Sequence, residues 1–92
     1  MIRYVESEWV IQTPQTLKEK RAIIKRVLTR AGQKFNISIA EIGFQDKWQR
    51  SLIGFAVVSE SHIHAEKVAD TVLAFLDAFP EWERGQTTME SL

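Results

Sequence analysis

Residues 35–59 read FNISIAEIGFQDKWQRSLIGFAVVS, and this stretch decides the fold. Phe35, Ile37 and Ile39 alternate with Asn36, Ser38 and Ala40, the period of a half-buried strand. The segment Gly43–Ser51 is polar and reads as a hairpin connection. Leu52–Val58 is apolar on both alternating sets, which suits a central strand covered on two faces. A hairpin therefore sits in the middle of the chain, and its flanks settle the topology.

Upstream, residues 2–12 are rich in β-branched and aromatic types, with Val5, Ser7, Trp9 and Ile11 on the side predicted to face a core. Thr13 and Pro14 break that strand. Thr16-Leu17-Lys18-Glu19 fits a capping box, Glu19 reaching back to the Thr16 amide. Leu17, Ile24, Leu28, Ala31 and Phe35 then recur at helical spacing, with Val27 on one flank. Downstream, Ser59-Glu60-Ser61 stops the central strand. A second helix follows, burying Ala65, Val68, Ala69, Val72, Leu76 and Phe79 and presenting Glu66, Asp70 and Asp77 outward. Pro80 ends it, and Trp82–Met89 is a last candidate strand. The order β-α-β-β-α-β predicts an α+β, ferredoxin-like domain spanning residues 1–92: a four-stranded antiparallel sheet with two helices on one face.

A chain of 92 residues with 45% apolar content supports a small core, burying roughly 60–65% of its unfolded surface. The absence of cysteine excludes disulfides, thiolate metal sites and thiol nucleophiles. The longest apolar run, Leu52–Val58, is far short of the ~20 residues that span a bilayer, and acids occupy the N-terminal stretch where a secretory signal is apolar. A soluble cytoplasmic protein without a membrane partner is expected. Charge is uneven: residues 1–50 carry ten Lys or Arg against five acids, whereas residues 51–92 carry two against seven. One basic and one acidic surface follow, unless the two sets satisfy each other.

Chain direction and the right-handed crossover bring the first turn of helix one to the same end as the hairpin tip. Lys18, Lys20 and Arg21, with Lys25 a turn later, then join Asp46, Lys47, Trp48, Gln49 and Arg50. Cations beside a reachable Trp suit phosphates plus one stacked base. The competing reading is structural: Asp46 pairs with Arg21 or Lys18, and Trp48 packs on their methylene stems.

Other constellations fall short. His62 and His64 point roughly 200° apart on a helix and cannot share an ion, while His62 with Glu66 lacks a third ligand. The segment Gly54–Val57 is similar to the middle of an RNA-recognition-motif strand. Ile53, Val57 and Glu60 replace its basic and stacking residues, and Glu6 and Glu8 on the open face would repel phosphate. No nucleophile–base pair, phosphate-cradling loop or paired carboxylate motif is present, so neither catalysis nor a cofactor is expected.

The runs TLKEKRAIIKRVL, residues 16–28, FNISIAEIGFQDKWQRSLIGFAVVS, residues 35–59, and HAEKVADTVLAFL, residues 64–76, resemble the YlxP-like family of bacterial domains of unknown function. The resemblance covers about Thr16 to Leu76, with the two ends matching poorly. It implies a ferredoxin-like fold and a setting among genes for translation initiation and ribosome maturation. No family active site carries over.

The expectation is therefore a non-enzymatic binding protein for structured RNA or a ribosomal particle. Its nucleic-acid-binding residues would be Lys18, Lys20, Arg21, Lys25, Lys47, Trp48 and Arg50. The alternative is a homo-oligomeric interaction module that uses the open sheet face, with Trp9 or Trp82 in the contact.

Overall fold

A computed structural model describes residues 1–92. The elements are β1 (Ile2–Ile11), α1 (Leu17–Lys34), β2 (Ser38–Gly43), β3 (Arg50–Val58), α2 (His62–Asp77) and β4 (Trp82–Ser91). They form one four-stranded sheet in the order β2-β3-β1-β4, every neighbouring pair antiparallel. This is the predicted β-α-β-β-α-β arrangement, with α1 lying over β2 and α2 over β1, β3 and β4.

Period-two burial organises the central pair. Val5, Ser7, Trp9 and Ile11 of β1 are buried, as are Ser51, Ile53, Phe55 and Val57 of β3. Val5 and Phe55 lie opposite each other in the ladder. Ile24, Val27 and Ala31 of α1 close the core from above, with Ala65, Ala69, Val72 and Leu76 of α2. The alternate residues of β3 face the uncovered side, where Val58 is 72% exposed. The apolar character of this strand on both sets thus reflects one core face and one open face.

One detail of the start of α1 differs from expectation. Thr16 caps α1 by accepting the Glu19 amide at 3.1 Å, but the Glu19 carboxylate receives the Gln15 amide, one residue earlier than Thr16. Gly32 lies inside α1, which runs on to Lys34 before Phe35 turns extended.

The tryptophans Trp9 and Trp82 are 1% and 4% exposed, so neither is available to a partner. Their rings stack at 4.0 Å between centroids and 19° between planes. Trp9 Nε1 donates to Ser7 Oγ and Trp82 Nε1 to the Leu76 carbonyl, each at 2.8 Å. Each indole therefore keeps its one donor satisfied inside the core. This stack fastens β4, an edge strand whose pairing to β1 shifts register between Ser7 and Trp9.

Candidate functional site

Helix α1 and the β2–β3 hairpin meet where topology placed them, but through an unexpected residue. Lys20 is fully buried, although its type is almost never found so without a partner. Its Nζ lies 2.7 Å from Glu41 Oε2 and donates to the Phe44 carbonyl at 2.7 Å. A longer contact reaches the Gln45 carbonyl at 3.5 Å. Buried Ser51 donates to the same Glu41 oxygen at 2.6 Å. The ammonium is thus neutralised and bonded on several sides, the condition under which a buried charge is tolerated.

Phe44 makes this possible. It is the one non-glycine residue with positive φ, at 58°, a conformation that costs an L-residue about 1–2 kcal/mol. The turn directs its carbonyl to Lys20 and leaves its ring under Arg50, whose guanidinium carbon sits 4.2 Å from the ring centroid. Arg50 also reaches Glu8 at 3.3 Å and remains half exposed.

These facts correct the candidate list. Lys20 is not a surface cation: it is a structural tie between helix and hairpin, and no phosphate reaches it. Lys18, Arg21, Lys25 and Lys47 are exposed and belong to no ion pair. At 100° per residue, Lys18, Arg21 and Lys25 occupy the flank of α1 above the free edge of β2. The opposite flank turns toward α2, where Arg26 pairs with Glu81 and Lys34 sits over the Phe75 ring.

Trp48 is 42% exposed, and no cation stacks on it. Asp46 pairs with neither Arg21 nor Lys18. Pairing of Asp46 with the helix is therefore not the arrangement the chain adopts. The charge imbalance between the halves is partly consumed internally, by the Arg26–Glu81 and Arg3–Glu66 pairs.

Sequence reasoning missed Lys20 and Glu41 as partners. The signal was present: each is a charge at an inward position. Lys20 is four residues before Ile24 and seven before Val27, while Glu41 continues the set Phe35, Ile37, Ile39.

Elsewhere, His62 and His64 are exposed, and no three His, Cys, Asp or Glu side chains are grouped to hold a cation. Glu6 and Glu8 do lie on the uncovered sheet face. Tyr4, on the same face, donates to Glu6 Oε1 at 2.9 Å. Burial, together with that hydrogen bond and the Glu6 charge, pushes its hydroxyl above the ordinary value. No helix is long and apolar enough to cross a membrane.

The chain shares its architecture with a designed protein, the solution NMR structure of LFR1 1 with ferredoxin fold. That likeness has a TM-score of 0.63 at 13% identity, covering 100% of this chain and 87% of that one, and speaks to the fold alone. In sequence, the chain is 53% identical over 90 residues to the uncharacterized protein YlxP of Bacillus subtilis (strain 168), covering 98% of each. The similarity therefore extends well beyond Thr16–Leu76 and takes in both terminal strands. A family model described as "Protein of unknown function (DUF503)" matches residues 2–89, and the chain belongs to that family.

Proposed function

We propose that the protein is a non-enzymatic binding domain that holds structured RNA, in the setting of a ribosomal particle, on the basic end built by α1 and the β2–β3 hairpin. One observation carries this reading. Three unpaired, exposed cations, Lys18, Arg21 and Lys47, share an end with exposed Trp48 because the Lys20–Phe44 bond ties helix to hairpin, and a fourth, Lys25, follows along the same flank of α1. Such a surface offers phosphate contacts from side chains and one aromatic platform for an unstacked base. Arg50, half exposed over Phe44 and paired with Glu8, becomes a fifth cation for phosphate when it leaves that pair. At the N-terminus of α1 the Thr16 hydroxyl takes the Glu19 amide, and the Glu19 carboxylate beside it opposes an anion there.

The test is sedimentation of the protein with ribosomal subunits across a salt series. With five phosphates engaged, log K falls against log salt with a slope of about −4. Lys18→Glu with Arg21→Glu should abolish co-sedimentation while leaving the denaturation midpoint in place, because both side chains are exposed. Lys20 is unsuitable for this purpose, since its loss disturbs the fold itself. A protein that stays in the light fractions at every salt concentration, or a double variant that binds as before, defeats the reading.

A further inference from the structure

The two faces of the sheet differ in more than coverage. On the uncovered side, Ile42 and Leu52 border Gly54, and Ala56 and Val58 continue along β3. Ile42 is 42% exposed and Val58 72%. Beside this apolar strip, β1 and β4 carry Glu6, Glu8 and Glu90. Two shallow depressions of about 250 and 230 Å³ adjoin there, sharing Glu6 and Thr88, the first bounded also by Glu90 and the second by Glu8 and Leu52.

We propose that this open face docks a cationic amphipathic helix from a protein partner. From β3 across β1 to β4 is two strand spacings, about 10 Å, which matches the width of a helix with its side chains. An apolar stripe on the incoming helix covers Leu52, Ala56 and Val58. Lys or Arg on its flank enter the depressions toward Glu6 and Glu90.

The other occupants fit worse. Nucleic acid meets the carboxylates of Glu6 and Glu90 here, Glu8 being paired with Arg50. A second copy packed on this face brings the same acids again, with only Arg50, already paired with Glu8, to meet them. The chain's own α1 is basic, but no exposed large apolar side chain lies on it to cover the strip. The partner must combine cations with an apolar stripe, and complementary charge gives it orientation as well as encounter rate.

The probe is a synthetic helical peptide of Leu, Ala and Lys with an apolar stripe flanked by Lys. It is titrated into the isotope-labelled full chain while amide shifts are followed. Shifts are expected on β1, β3 and β4 around Glu6, Leu52 and Thr88, with none centred on α1. Glu6→Gln with Glu90→Gln should weaken binding about tenfold. Val58→Ser should also weaken it, and its exposure spares the fold. Asp70→Asn, on the outer side of α2, should leave affinity unchanged. Equal binding of a scrambled peptide of the same composition overturns the proposal. So do shifts confined to α2, or a free protein that is already a dimer through this face. The Lys18→Glu, Arg21→Glu variant keeps the peptide whatever becomes of its RNA binding, so the two surfaces are tested separately.

Discussion

Lys20 and Glu41 form an ion pair across the seam between α1 and β2, Nζ 2.7 Å from Oε2, with the ammonium wholly shielded from water and the carboxylate nearly so. Neither charge sits at the surface that its residue type implies. The pair fixes where the hairpin tip lies relative to the helix, and every exposed cation of the candidate interface takes its position from that tie.

Removing one member leaves the other charge buried and unpaired. Lys20→Met and Glu41→Leu should each cost about 3–5 kcal/mol in urea denaturation. The double variant, with no charge left unpaired, should recover part of that loss, the Ser51 hydroxyl and the Phe44 carbonyl still lacking their partners. Additive losses in the double variant would show that the two residues act independently.

The Trp9–Trp82 stack holds an edge strand that is otherwise polar. Trp82→Ala should destabilise the domain by about 3–5 kcal/mol. Amide exchange should rise first along β4, because that strand loses its one large buried anchor. Exchange that rises uniformly across the sheet would contradict a local role.

Tyr4 is the single tyrosine, so tyrosinate absorbance reports it alone. Its hydroxyl titrates above the ordinary value of 10.0, chiefly because of burial and then the bond to Glu6. The folded state holds this proton more tightly than the unfolded chain. The resulting stability is complete below about pH 10 and is lost as pH rises through the folded value. Glu6→Gln should lower the midpoint, and an unchanged midpoint would remove Glu6 from the account.

Gly54 lies under the same group. A Cβ built there falls 2.8 Å from Tyr4 Oη and 3.0 Å from Ile42 Cδ1. Gly54→Ala should cost about 1 kcal/mol or less, because the ends of Tyr4 and Ile42 on the open face can move aside, and should return the Tyr4 titration toward its ordinary value. Calorimetry and the absorbance titration read the two effects independently.

Trp48 is the one exposed tryptophan of three, so a neutral quencher should reach a single component of the fluorescence. Trp48→Phe should remove that component and leave the stability unchanged within about 0.5 kcal/mol. Structured RNA should protect the component if the indole receives a base.

Much of the fold was legible because burial follows short periods. Val5, Ser7, Trp9 and Ile11 declare their side by alternation, and Ala65, Ala69, Val72 and Leu76 by the helical repeat. The hairpin at residues 43–51, placed between two helical patterns, then left the ferredoxin-like order as the natural topology. The shared end of α1 and the hairpin followed from chain direction alone. Less legible were the residues whose partners lie far along the chain. Trp9 carried both a core reading and an interface reading, and its stacking with Trp82, seventy-three positions later, decides between them.

The sequence by itself determined the elements, their order, the inward faces and the uneven charge. Only the tertiary structure decided which charges are surface. Burying a lysine is unfavourable unless an acid and a carbonyl meet it, and both lie more than twenty residues away, one through a left-handed turn at Phe44. Local pattern measures how apolar a position is. It does not measure whether a distant group neutralises that position, which is why Lys20 reads as a contact for phosphate and is instead the tie that sets the contacts around it.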